Sequence, residues 1–288
     1  MTPAENRQKL RSILAGDACI RPASVFDPAT ARIAGDLGYE AAMFAGSVAS
    51  WVILAAPDEV LITLTEFVEQ AHRICRAAEL PVLVDADHGY GNALNVRRTV
   101  EELETAGIAG LTIEDTRLPR GFGPGGKSEL IPLAEGVGKM KAALAARRDP
   151  GLVILGRTSA PGITGLADAI ERCKAYRDAG VDAVFVNGVK NLDDLATLCR
   201  EVGLPVMIGN SGQSFDDTEA LAKVGVRIAL SGHLTYMAAL HAARETLKAL
   251  RDGVPPATLA RTLSPGLLDE ALRSESYKAA FRDYLGAG

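Results

Sequence analysis

The sequence predicts an α/β chain: a (β/α)8 barrel of the TIM type with a C-terminal helical extension. Three observations carry that expectation. Short apolar runs alternate with helical, Ala-rich segments from residue 20 to residue 253, which implies a parallel sheet covered by helices. The punctuation between them recurs, a glycine closing a helical segment directly before an apolar run, at Gly38, Gly107, Gly180 and Gly225. Glycine there suits the left-handed position just past a helix end. The glycine-to-glycine steps of 69, 73 and 45 residues read as two, two and one copies of a βα unit of roughly 35 residues. No G-x-G-x-x-G follows the first strand, which argues against an open doubly wound sheet.

In chain order, an N-terminal helix precedes strands at Ile20–Ser24, Ala41–Ala45, Pro81–Asp85, Leu111–Ile113, Leu152–Gly156, Ala183–Val186, Pro205–Ile208 and Ile228–Leu230. Proline at the first residue of the third and seventh costs no ladder hydrogen bond. Between strands, Glu66–Ala78 carries Phe67, Ala71, Ile74 and Cys75 at helical spacing, and Asn95–Ala106 carries Val96, Val100, Leu103 and Ala106. Thr116–Ile131, rich in Gly, Pro and Arg, falls outside the repeat and reads as a lid loop after strand four. Residues 1–253 are expected as the barrel and 254–288 as the extension. Val254-Pro255-Pro256 ends the eighth helix, and Leu267–Tyr284 reads as one or two helices with no barrel position to fill.

Composition narrows the function. Apolar residues make up 48% of the 288 and charged residues 23%, a globular balance. A net charge of −5 leaves no Lys/Arg surplus to neutralise phosphates, which argues against nucleic acid. The longest apolar stretch, Trp51–Ala56, is too short to span a bilayer, and the first residues carry no basic-then-apolar signal. Cys19, Cys75, Cys173 and Cys199 form no C-x-x-C pair, so neither a disulfide framework nor a zinc knuckle is expected. A soluble cytoplasmic protein is the expectation.

In such a barrel the residues just past each strand converge on one rim, where the chemistry occurs. Those positions hold Gly46-Ser47, Asp85-Ala86-Asp87, Glu114-Asp115, Arg157, Asn187, Asn210 and His233, after strands two to eight in order. Carboxylates crowded in this way repel each other unless a cation joins them. An all-oxygen ligand set favours Mg2+, with Mn2+ as a substitute, over zinc. Asp-x-Asp in an extended segment turns both side chains to one side, so Asp85 and Asp87 can face one ion. The alternative is a helix cap or a solvated acidic turn. Arg157 follows a short apolar strand, where an unpaired charge would be costly. It reads as a clamp on a carboxylate or enolate oxygen, or as a structural partner of a rim Asp. His233 reads as a functional rim residue or as the cap of helix eight. His88 adjoins the acidic pair, whereas His72 and His241 fall mid-helix and read as surface residues.

Two lookalikes are rejected. Gly121–Ser128 fits G-x-x-x-x-G-K-S literally, but a P-loop needs a strand directly before the first glycine and a helix opening at the Lys. Lys190 lies past the glycine of its loop, so it reads as solvent-facing rather than as a Schiff-base lysine.

Gly46-Ser47, Pro57-Asp58, the run Asp85-Ala-Asp-His-Gly-Tyr-Gly91, Ile113-Glu114-Asp115 and Arg157-Thr158 together resemble the isocitrate lyase/phosphoenolpyruvate mutase superfamily, over roughly residues 5–250. Within it, Ala23–Pro28, Ala86–Val96, Glu135–Lys139 and Gly232-His233 look like the oxaloacetate decarboxylase branch. The resemblance implies a Mg2+-dependent enzyme acting on α-keto acids through an enolate. It implies Asp85 as direct metal ligand, with Asp58, Asp87 and Glu114 holding the ion's waters. It also implies that Ser47 with its backbone N–H, beside Gly46, joins Arg157 and His233 in holding substrate. A homotetramer is implied as well, a dimer of dimers with residues 254–288 swapped between subunits. Lyases of the superfamily carry a Cys and a His on the lid; Thr116–Ser128 has neither, so isocitrate and methylisocitrate cleavage are not expected. Oxaloacetate decarboxylation is the leading expectation. The competing readings are a C–C or P–C bond enzyme on a related acid, and a non-catalytic keto-acid-binding barrel.

Overall fold

All eight expected strands form, in a computed structural model that describes residues 1–121, 128–209 and 215–286. Met1–Gly232 is one unit and His233–Gly288 a second. The first unit opens with α1 (Pro3–Ala15), started by a capping box between Thr2 and Glu5. There follow β1 (Ala23–Ser24), α2 (Pro28–Asp36), β2 (Ala42–Phe44) and a single turn, α3 (Gly46–Ala49), which runs into a π-helical turn over Ser50–Leu54. Next come α4 (Leu64–Ala77), β3 (Val82–Asp85), α5 (Ala93–Ala106), β4 (Gly110–Glu114) and α6 (Leu133–Ala146). The unit continues with β5 (Val153–Thr158), α7 (Ala160–Ile163), α8 (Leu166–Ala179), β6 (Ala183–Val186), α9 (Leu192–Val202), β7 (Val206–Ile208), α10 (Thr218–Val224) and β8 (Val226–Ala229).

The strands pair in sequence order, all parallel. Closure falls to Ile20, which bridges Ile228: its N–H donates to the Arg227 carbonyl, and its carbonyl accepts from Ala229, both at 2.9 Å. The first strand is shorter than the apolar run from Ile20 promised, because Pro22 has no N–H to offer. The four punctuating glycines all take positive φ, between +82° at Gly38 and +106° at Gly225.

Alternation along the strands splits the core in two. One set, including Phe44, Val84, Leu111, Ile154 and Val184, packs outward against helices whose buried faces carry Phe67, Ala71 and Ile74, or Val96, Val100 and Leu103. The other set, Met43, Leu83, Val153, Leu155, Phe185, Met207 and Ile228, fills the barrel, and Leu10 and Leu14 of α1 join it. Each of those leucines stabilises the closed end by roughly 1.5–3 kcal/mol through burial.

The second unit holds α11 (Leu234–Arg251), α12 (Pro256–Ala260), α13 (Leu267–Leu272) and α14 (Ser274–Leu285). The division therefore falls at Gly232 rather than at Gly253, and the eighth helix goes with the C-terminal residues. No helix among the described residues is long and apolar enough to cross a membrane.

Candidate active site

Strand parity decides which side chains reach the rim from inside the barrel. Leu83 points inward on β3, so Asp85 does too; Val153 and Leu155 lead to Arg157 on β5. On β4 a Cβ at Gly110 would meet Leu10, Leu83 and Val153, which sets Thr112 and Glu114 inward as well. Register then fixes the neighbours. Asp85 lies opposite Thr112, Glu114 opposite Arg157, and Arg157 opposite Phe185.

The contacts follow that register. Thr112 Oγ1 donates to Asp85 Oδ1 at 2.8 Å, and Thr116 Oγ1 to Glu114 Oε2 at 2.7 Å. Arg157 Nη1 donates to Asp85, Nη2 lies 3.5 Å from Glu114, and the guanidinium stands 5.0 Å from the centre of the Phe185 ring. The structural pairing with a rim Asp, one of the two readings of Arg157, is thus present. Its Nε is buried and has no hydrogen-bond partner among the described residues.

Asp87 departs from the extended geometry that Asp-x-Asp suggested. It lies in a turn beyond β3 with φ +47°, yet it is only 6% exposed, so the turn is not a solvated one. Its carboxylate lies against Gly46, where a Cβ would come within 2.6 Å of Oδ1. That approach is what requires glycine at 46. Ser47 follows in α3, half-buried. Asp58, on the loop after the π-helical turn, completes an open pocket of about 180 Å³ with Asp85, Asp87, Glu114 and Arg157.

Asp58, Asp85, Asp87 and Glu114 surround the Arg157 guanidinium, and the acidities of Asp87, Glu114 and Asp58 show the strain. Burial, then repulsion from Asp85, Glu114 and Asp58, pushes the Asp87 carboxyl well above the usual carboxylate range. Burial also raises Glu114, against the pull of Arg157. Desolvation in the pocket and then Asp85 raise Asp58, although its outer side stays open to water. Burial opposes the charge on Arg157, but Asp85 and Glu114 more than offset it and hold the side chain cationic. Hard oxygen donors carrying surplus negative charge fit a hard divalent cation. Among the described residues no three His, Cys, Asp or Glu side chains form a closed cage.

The remaining expected residues fall into place singly. Asn187 sits over Gly209, where a Cβ would come within 2.5 Å of Oδ1. His88 is buried, and burial, aided by Lys139, lowers its pKa to about 4, so the ring is neutral near pH 7. Lys190, His72 and His241 are exposed. His233 opens the second unit as the residue before α11. Asn210 and residues 122–127, which hold most of the P-loop lookalike and Lys127, lie outside the described residues; the next described helix begins at Leu133. The base of that loop is pinned, Thr116 pairing with Leu130 and Ile131 N–H donating to the Asp115 carbonyl at 2.8 Å. Sequence reasoning missed Thr112 and Thr116 as supports of the carboxylates. Their signal is parity: each lies two residues from Glu114 on the same face.

A parallel barrel whose rim gathers carboxylates and an arginine is the class of protein that the fold and the site define. Residues 10–251 match the phosphoenolpyruvate phosphomutase family, and the chain belongs to it, as the motifs from Gly46 to Arg157 implied. It is 55% identical to an oxaloacetate decarboxylase of Bradyrhizobium diazoefficiens, over 97% of each chain. It is 54% identical to an oxaloacetate decarboxylase of Rhodopseudomonas palustris, over 99% of each. Among solved structures, a phosphonopyruvate hydrolase in complex with oxalate and Mg2+ superposes with a TM-score of 0.87 at 26% identity, over 99% of this chain and 100% of that one.

Proposed function

We propose that this chain decarboxylates oxaloacetate to pyruvate and CO2 with Mg2+, or Mn2+ in its place. The observation that carries the reading is the surplus of rim carboxylates around Arg157, in a chain so similar over its whole length to oxaloacetate decarboxylases. Asp85 would bind the ion directly, with Asp58, Asp87 and Glu114 holding its waters. The ion, when bound, supplies a Lewis acid for the keto oxygen.

In the reaction the C3–C4 bond breaks and CO2 leaves. The bonding electrons form the C2–C3 double bond, and the carbonyl electrons move to the C2 oxygen, giving an enolate that is protonated at C3. Arg157, whose Nε is free to donate, and the Ser47 backbone N–H beside Gly46 would hold that oxygen as an oxyanion hole does. Starting this reaction needs no base, which suits a loop without Cys or His. The four unpaired cysteines agree with a cytoplasmic setting. α11 buries no residue, and Leu240, Leu247, Leu268 and Phe281 are more than half exposed. These faces support a homotetramer with swapped C-terminal helices, which light scattering on the purified chain would test.

The deciding experiment is a panel of oxaloacetate, isocitrate, methylisocitrate, phosphoenolpyruvate and phosphonopyruvate, assayed with Mg2+ and with chelator. Oxaloacetate alone should turn over, and chelator should abolish it. Turnover of phosphonopyruvate or a hydroxy diacid, with oxaloacetate untouched, would overturn the reading.

A further inference from the structure

The turn from Ala86 to Gly89 presents four successive carbonyls, and each has a donor. Ala86 O accepts from Gly89 N–H at 2.9 Å and Asp87 O from Glu114 N–H at 2.8 Å, both backbone contacts. The other two donors are side chains on the helices behind the turn. Lys139 Nζ of α6 donates to His88 O at 2.8 Å, and Thr99 Oγ1 of α5 donates to Gly89 O at 3.1 Å. Lys139 is 2% exposed and Thr99 fully buried, and neither lines the pocket.

A buried lysine is rare unless something demands it. This ammonium donates to a carbonyl while also feeling the charges of Glu135, Glu114 and Asp115, where a leucine would pack at lower desolvation cost. The demand comes from the backbone. Asp87 at φ +47° and Tyr90 at +59° are both left-handed, a conformation non-glycine residues seldom adopt without surrounding structure to impose it. From that turn the Asp87 carboxylate rests against Gly46 inside the pocket.

We propose that Lys139 and Thr99 are positioning residues: by holding the His88 and Gly89 carbonyls, they lock the turn that delivers Asp87 to the site. The inference rests on the reading of Asp87 as a holder of the ion's waters. Neither residue touches substrate, and both act through the backbone.

The test is calorimetric titration of metal-stripped protein with Mg2+, alongside kcat and KM for oxaloacetate and the melting temperature, in Lys139→Met, Lys139→Arg, Thr99→Val and Asp87→Asn. Supporting contacts of this kind are worth about 10- to 100-fold in metal affinity. Lys139→Met should weaken Mg2+ binding by about tenfold and lower kcat with little change in KM. Lys139→Arg, which keeps charge and donor, should recover most of both, and Thr99→Val should shift them the same way by less. A merely structural lysine would lower the melting temperature and leave Mg2+ affinity alone. Lys139→Met with affinity and kcat within about twofold of wild type overturns the inference; if that variant does not fold, the same result for Thr99→Val does. The Asp87→Asn control separates the two readings. Wild-type affinity there removes the metal-site reading and this inference with it. Lost affinity there, with Lys139→Met and Thr99→Val unaffected, removes this inference alone.

Discussion

At the closed end of the barrel, Arg7 donates to Asp149 at 2.6 Å and to the carbonyls of Glu104 and Ile108 at 2.8 and 3.1 Å. Beside it, Asp182 accepts from Arg11 at 2.9 Å and from Arg147 at 2.6 Å. The Glu104 carboxylate caps two backbone N–H groups, at Arg148 and Asp149. At the rim end, Asp58, Asp85, Asp87 and Glu114 crowd around Arg157, while Arg117 and Arg120 on the same pocket wall are matched by Glu129 and Glu59. Both ends are ionic, but one balances its charges internally and the other leaves negative charge over. A balanced cluster can be accounted for by stability. An unbalanced one, with carboxyls raised by burial and mutual repulsion, marks a site completed by something it binds.

The largest test of that contrast is Asp85→Ala. Oxaloacetate turnover should fall about a thousandfold, roughly 4 kcal/mol of barrier, while the melting temperature holds. Retention of more than a tenth of the wild-type kcat would remove Asp85 from the metal site. Arg157→Lys comes next, keeping the charge and losing the planar fork. Oxalate, planar and charged like the enolate, should inhibit the wild type competitively. The variant should lose about 1.5–3 kcal/mol in both kcat/KM and oxalate affinity, roughly ten- to hundredfold. Unchanged oxalate inhibition would make Arg157 a structural partner of Asp85 and nothing more.

Arg7→Ala probes the other end. Asp149 is a third exposed, so the loss of stability should be about 1.5–2 kcal/mol rather than the larger cost of a fully buried pair. Chemical denaturation would measure it, and kcat should not change. The smallest effect is on pH. The Arg7 hydrogen bond holds the Asp149 carboxyl below its ordinary value. A lowered carboxyl contributes stability that is complete above the unfolded value, near 3.9, and is lost as pH falls through the folded one. The gap between wild type and Arg7→Ala should therefore be constant above about pH 5 and narrow below about pH 4. A gap that widens in acid would mean Asp149 is not its source.

The rim half of this contrast is legible in the sequence. The strands, the left-handed glycines and the rim placement of Asp85, Glu114 and Arg157 follow from periodicity and parity alone. The charge balance at the closed end was not legible, because Arg7, Asp149 and Asp182 are far apart in sequence and resemble ordinary surface charges. Asp87 sits on the rim the sequence implies but with a left-handed backbone, since no residue pattern announces a positive φ at an aspartate. Lys139 and Thr99 were invisible as supports for a similar reason. In a helix, a lysine and a threonine fit a solvent face, and only the packing of α5 and α6 behind the turn shows otherwise.

The pairing of Glu114 with Arg157 and of Asp85 with Thr112 across adjacent strands gives the site a ruler. Neighbouring strands lie about 4.8 Å apart because backbone hydrogen bonds set that spacing, so the lateral distances among these groups are copied from the sheet. Side-chain repacking in the surrounding helices can drift without rescaling them. Relatives that break different bonds can keep the same three-strand gauge and alter only the loops above it, which is where differences in substrate would have to be written.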